Sequence, residues 1–366
     1  MSKNSLAIRL TGFAIIAAMM VTVLLLGLEL TFRFNGKYSR SQFQYDNNLI
    51  WRLRKNYAGT KSWGEDHFPL RFNKYGFRGP DFDRQKPQNR QRIMVIGDSY
   101  TAALDVRLED LYTTKMQQLL NQGEEKYEVV NASSPAWGTD QEYIYWMTEG
   151  RQFKPDYLLL MVAPNDLREM YMKKLVEPTP DGQVKINPVH YPRKARVGWW
   201  WSNRSSFFQY LQKEVWDTHY GHFYDIFEHY PVNFGQGDST NWDLPLFLKE
   251  PYPAVAEAKQ LFQVLIKEMH ASAEAINCQL VLSIIPTQME FDGTLPPETH
   301  QPGAVAQLLE DVAKEEQIPY LNLYRDLQES GEASQLFLEW DFHMNETGND
   351  FLARQLADFF QAHVLH

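Results

Sequence analysis

The chain has 366 residues, enough for one large domain or two small ones, and its 44% apolar content is ordinary for a packed core. A formal net charge of −10 leaves no basic stripe to neutralise phosphates, which excludes a nucleic-acid partner. The 10 Trp and 19 Tyr make it rich in aromatics, many of them between residues 190 and 252.

The first element is an apolar run, Leu10 to Leu28, without a charge and with two Thr as its polar side chains. At ~1.5 Å per residue such a helix spans roughly 30 Å of hydrocarbon. Lys3 and Arg9 precede it, while Arg33, Lys37 and Arg40 follow, so the charge bias across it is weak. No small-x-small site follows the run, so residues 1–34 read as an uncleaved anchor, with the body periplasmic or otherwise outside the cytoplasm. Cys278 is the single cysteine, which rules out an internal disulfide, and it precedes an apolar run as a core residue would.

Residues 35–90 are polar and turn-rich, and read as a stalk and lead-in with short strands around Leu70–Phe72. From residue 91 to the C-terminus strands and helices alternate. Buried strands are expected at 92–96, 127–130, 157–162, 280–285 and 320–323. Helices are expected at about 108–120, 140–148, 254–276, 304–315 and 348–363. The stretch 167–252 interrupts the pattern and reads as an aromatic-rich insertion. This alternation predicts an α/β fold with a doubly wound, mostly parallel five-stranded sheet, in which ligands bind beyond the carboxyl ends of the strands.

The strand ends carry the chemistry. Gly97-Asp98-Ser99-Tyr100-Thr101 follows the first strand, where a serine would be exposed near a helix start. Asn131 to Gly138 follows the second; a glycine there allows close approach of substrate and leaves its N–H free to donate. Ala163-Pro-Asn165-Asp follows the third, and the Asn165 amide can donate to an oxyanion. Asp341-Phe-His343 stands before the last helix. Serine needs a base, histidine is the natural one near neutral pH, and its other ring nitrogen needs an orienting carboxylate. Residues two apart in extended chain project to one side, so Asp341 and His343 can face one site.

In these four blocks the chain resembles the SGNH/GDSL hydrolase family, with Ser99, Gly138, Asn165 and His343 in the defining places. The resemblance runs from about residue 70 to the C-terminus and implies a flavodoxin-like sheet. It implies Ser99 as nucleophile, His343 as base, and an oxyanion hole from the Ser99 and Gly138 N–H groups and the Asn165 side chain. The segments Tyr75-Gly-Phe-Arg-Gly79 and Gly138-Thr-Asp-Gln-Glu142 are similar to a branch common among membrane-anchored bacterial members. Two departures stand out. Ala163 replaces a glycine of the third block and would crowd the substrate side. The fourth block is Asp-x-His, as in alginate-type O-acetyltransferases, rather than Asp-x-x-His, and Asp341 remains the acid it offers.

No HExxH, CxxC, Walker A or GxGxxG pattern occurs, so neither a metal nor a cofactor is expected. The expected activity is acyl-ester hydrolysis, with O-acetyl groups of envelope or exported polysaccharide as substrate. Transfer of an acetyl group to a glycan hydroxyl by the same triad is the alternative, and an idle glycan-binding or assembly protein a second. The expected partners are an acylated small molecule or glycan, polysaccharide-pathway proteins, and the membrane through residues 10–28. The aromatics Tyr191, Trp199, Trp200, Trp201, Tyr210, Trp216, Tyr220, Tyr224 and Trp242 could line a glycan groove or form the insertion's own core.

Overall fold

Strands β1 (Gln91–Gly97), β2 (Tyr127–Asn131), β3 (Tyr157–Val162), β4 (Gln279–Ile284) and β5 (Tyr320–Leu321) form one parallel sheet in the order β2-β1-β3-β4-β5. The structure is a computed structural model and describes all residues but 1–2, 36–40, 64–65, 180–182, 190–192, 216–242, 340 and 366. Tyr191, Trp216, Tyr220, Tyr224, Trp242, Lys37 and Arg40 therefore lie outside the described residues. By contacts the chain divides into two units, residues 46–190 with 230–366 and residues 1–45 with 191–229.

In the larger unit, β1 and β3 are apolar on both faces because helices cover both. Ile93, Val95, Leu159 and Met161 join one core cluster with Met116, Leu352, Leu356 and Phe360. These last come from α3 (Tyr112–Leu120) and α9 (Glu346–His363), which pack together. Three further helices, α4 (Thr139–Thr148), α5 (Asn165–Lys173) and α6 (Pro253–Glu274), pack on one another. Complete burial of one such Leu or Ile contributes roughly 1.5–3 kcal/mol. The strand order reverses direction of growth between β1 and β3, which is where such sheets open a crevice.

Three sequence expectations need correction. Residues 46–90 are built into the larger unit instead of standing as a stalk. Trp51 and Leu53 are fully buried, and Trp51 and Trp137 each donate an indole N–H to a backbone carbonyl of the other's segment (Pro135, 2.9 Å; Trp51, 3.0 Å). Such widely spaced anchors carry no period, so the segment reads as loop while its large side chains are core. Antiparallel strands 58–63 and 66–71 follow. The second correction is at residue 167, where the chain continues α5 rather than breaking pattern. Among the sheet's helices, α7 (Ala304–Glu316) falls where expected, while Leu323 begins a short α8 (Leu323–Ser330) capped by Asn322 instead of ending a strand.

The smaller unit contains α1 (Lys3–Asn35), which is long and apolar enough from Arg9 onward to cross a membrane. Near its end Glu29 accepts hydrogen bonds from the Ser205 hydroxyl (2.8 Å) and the Phe207 N–H (3.1 Å). The Phe32 ring stacks on Phe207 and Tyr210, with centroids 5.6 and 4.4 Å apart. The helical segment Ser206–Tyr210 thus meets the last turns of α1, and the helix Arg193–Ser202 packs on that segment. Trp199 is buried, whereas Trp200 and Trp201 are exposed.

Candidate active site

Ser99 stands two residues beyond the end of β1 proper, at the start of α2 (Ser99–Ala102). The tight exit depends on Gly97: a Cβ there would lie 2.4 Å from Thr101 Oγ1 and 2.9 Å from the Met161 carbonyl oxygen. Asp98, fully buried, organises the turn. Its Oδ1 accepts the Tyr100 N–H at 2.9 Å, as a helix cap does. Its Oδ2 accepts the Asn165 side-chain N–H at 2.8 Å and lies 3.3 Å from Ser99 Oγ. Burial pushes the Asp98 carboxyl up, against the lowering effect of these hydrogen bonds and of His343.

His343 reaches Ser99 from the far end of the chain. Strand Asp341–Met344 pairs antiparallel with Phe337–Leu338, and its two-residue spacing puts Asp341 and His343 on one side. Asp341 Oδ1 lies 2.8 Å from His343 Nδ1 and also accepts the His343 backbone N–H at 3.3 Å. His343 Nε2 lies 2.8 Å from Ser99 Oγ. A carboxylate at Nδ1 fixes the tautomer with its proton there, which leaves Nε2 as the acceptor for the serine proton. The hydroxyl has one proton, and the nitrogen is the nearer acceptor than Asp98. Burial opposes charge on the imidazole, but Asp341 first, then Asp105 and Asp98, outweigh it and hold His343 above its ordinary value. Asp341 is correspondingly lowered: its burial is overcome by the hydrogen bond and charge of His343.

A second carboxylate escaped the sequence reading. Ala103, in left-handed conformation at φ +40°, ends α2 and turns the chain so that Asp105 Oδ2 lies 3.8 Å from His343 Nδ1. Lys61 pairs with the other oxygen of Asp105 at 2.8 Å. The turn is clamped by the buried Arg78 guanidinium, which donates to the Ala103 and Val106 carbonyls. That gives the Tyr75–Gly79 motif a structural task. A lone charge inside the apolar stretch Ala102–Val106 was the available signal. Asp105, Asp341 and His343 are also the one trio among the described residues close enough to share a cation; Lys61 already occupies one side of it.

Asn165 begins α5, with its amide tied to Asp98 and its Oδ1 buried without a partner. Ala163 is fully buried, and it belongs to the same core cluster as Tyr100 and Met161. Gly138 departs further from expectation. Its N–H is not free but donates to Gln141 Oε1 at 3.3 Å, so the Gln141 side chain reaches back over the start of α4. Its missing side chain serves helix packing, since a Cβ would lie 2.4 Å from Met170 N and 2.8 Å from the Asp166 carbonyl oxygen. Within the same loop the left-handed position is Ala136, at φ +52°.

Behind these groups lie Glu142 and Asp166, both fully buried. Burial drives each carboxyl well above its ordinary value; repulsion from Asp98 and Asp140 adds to it at Glu142, and repulsion from Glu142 and Asp98 at Asp166. Both Glu142 oxygens lack a hydrogen-bond partner.

A serine held by a histidine and a carboxylate at the carboxyl ends of a parallel sheet is the arrangement of nucleophilic acyl chemistry. Residues 95–351 match the family described as GDSL-like Lipase/Acylhydrolase, and the chain belongs to that family. No curated protein matches it. Solved structures similar to the chain include TesA, at 14% identity over 74% of this chain and 98% of that one, with a TM-score of 0.42. The acetyl xylan esterase AlAXEase is similar at 17% identity over 75% and 100%, TM-score 0.40. So is a catalytic mutant of Axe2, an acetylxylan esterase from Geobacillus stearothermophilus, at 12% identity over 74% and 93%, TM-score 0.42.

Proposed function

We propose that the chain is a membrane-anchored serine O-acyl hydrolase whose substrates are O-acetyl groups of envelope or exported polysaccharide. The observation that carries the reading is the 2.8 Å contact of Ser99 Oγ with His343 Nε2, backed by Asp341 at 2.8 Å on Nδ1. In the proposed cycle, His343 takes the serine proton as Oγ attacks the ester carbonyl. The Asn165 amide and the Ser99 N–H receive the developing oxyanion, with Gly138 joining them if Gln141 releases its N–H. His343 then protonates the departing sugar oxygen, and water, activated by the same imidazole, cleaves the acyl-Ser99 ester. No step requires a metal. The apolar α1 supports attachment to a membrane, and we place the larger unit on its outer side, where acylated glycans are exposed.

The full chain in detergent should hydrolyse an aryl acetate and form a covalent adduct with a serine-reactive phosphonate. Ser99→Ala should remove both, lowering turnover by roughly 10⁴ or more. Phosphonate labelling that persists in Ser99→Ala would refute the nucleophile. Acetate release from an O-acetylated polysaccharide tests the substrate class. If acylated sugar instead forms faster than free acetate when a glycan acceptor is supplied, the chain is a transferase.

A further inference from the structure

Among the residues of the helix Arg193–Ser202 whose burial is described, the exposed ones are 193, 196, 197, 200 and 201, the i, i+3, i+4, i+7, i+8 spacing of a single face. That face reads Arg193, Arg196, Val197, Trp200, Trp201, and its three apolar members are about half exposed (50%, 48% and 46%). Its opposite side is anchored by Trp199, exposed by 1%. Two adjacent tryptophans on an exposed helix face have an apolar cost in water that a soluble surface does not ordinarily carry. The charge around them is equally one-sided. From residue 182 to 213 the sequence has Lys185, Arg193, Lys194, Arg196, Arg204 and Lys213 and no Asp or Glu, in a chain of net charge −10. Arg204 lies over the Trp200 ring, 4.4 Å from its centroid.

The same unit contains the apolar helix. Ser205, Phe207 and Tyr210, which directly follow the Trp-bearing helix, bond and stack on Glu29 and Phe32 of α1. Glu29 is the first charge after the run that ends at Leu28. The basic aromatic helix is therefore fastened at the level where α1 leaves its apolar stretch. Tryptophan and arginine prefer that level of a bilayer: the indole suits the boundary between tail and headgroup, and the guanidinium reaches phosphate.

We propose that the face Arg193–Trp201 lies on the bilayer surface as an interfacial helix, with Val197, Trp200 and Trp201 in the headgroup boundary and the arginines on anionic lipid phosphates. This rests on the reading of α1 as a membrane anchor. It gives the chain a second attachment, which limits the swing and rotation that a single helix allows.

The test uses the full chain reconstituted into phosphatidylcholine vesicles containing phosphatidylglycerol. Cys278 is buried and its thiol is pushed up to about 12, so an environment-sensitive fluorophore will report on an introduced cysteine alone. Probes at Trp201→Cys, with Val197→Cys as the second variant should the first misfold, are compared with Leu24→Cys in α1 and the exposed Asp358→Cys. The expected result is a blue-shifted emission at 201, quenched by lipids that carry the quencher near the headgroup, with no such quenching at 358. Quenching at 24 without quenching at 201 or 197 overturns the interfacial helix and leaves the anchor standing. Absence of quenching at all three removes both. A probe at 201 shielded from aqueous iodide yet unquenched by lipid means that protein covers the face, which also overturns the proposal.

Discussion

His343 faces two carboxylates, and removing each in turn separates their contributions. Asp341 lies 2.8 Å and Asp105 3.8 Å from Nδ1. With an effective dielectric of about 20, their attractions for an imidazolium are about 6 and about 4 kcal/mol, before Lys61 discounts the second. Asp105 thus retains a substantial part of the field once Asp341 is gone. A serine triad with a single acid loses roughly 10⁴ in turnover when that acid is neutralised. Asp341→Ala should lose less, about 10²–10³, because Asp105 can turn toward the vacated Nδ1 side. Asp105→Ala should lose about tenfold or less, since the hydrogen bond to Asp341 survives. The double variant should reach the full loss of roughly 10⁴. The assay is kcat/KM for an aryl acetate across pH. His343 must be neutral to act, and its value is raised, so activity falls as pH drops through a midpoint above that of free histidine. Asp341→Ala should move that acid limb to lower pH, and the double variant further. If Asp341→Ala is already as inactive as the double variant and shows the same limb, Asp105 supplies nothing to the imidazole.

Other outcomes follow from neighbouring contacts. Asn165→Ala should cut kcat by about 10²–10³ with little change in KM, as loss of an oxyanion donor does, measured with the same ester. Glu142→Gln should raise stability near neutral pH. Its folded carboxyl sits well above the unfolded value, so the wild-type protein loses stability as pH rises from the unfolded value towards the folded one, and the amide removes that slope. Urea midpoints at acid and neutral pH measure it, and equal slopes in both proteins would contradict the buried neutral acid. Arg78→Leu should cost about 2–4 kcal/mol in urea unfolding by orphaning the Ala103 and Val106 carbonyls. It should also lower kcat through the loosened Asp105 turn.

The sheet was legible because its strands are continuous apolar runs flanked by amphipathic helices, a pattern that local sequence carries in full. Ser99, Asn165, His343 and Asp341 were legible because each lies at a strand end or in a short block, and the structure brings these four side chains together. What escaped were features decided by distant partners. Trp51 is core through contacts with residues more than eighty positions away, so nothing near it marks burial. Asp105 meets His343 only because Arg78 pins a turn at Ala103. Gly138 read as a donor from its residue type, whereas its N–H and its open side are taken by Gln141 and α5. The aromatics near 200 divided in a way composition could not foretell, Trp199 inward and its two neighbours outward.

Ser99 and Asn165 leave adjacent strands whose ladder pairs Gly97 with Met161. Their placement is accordingly anchored in the sheet lattice, and the Asp98 carboxylate between them accepts from the Asn165 amide. His343 arrives differently, on a two-strand ribbon outside that lattice. The base therefore has a support of its own, so a shift of the strand Asp341–Met344 would change the His343 Nε2–Ser99 Oγ contact without altering the strand pairing that holds Ser99 and Asn165.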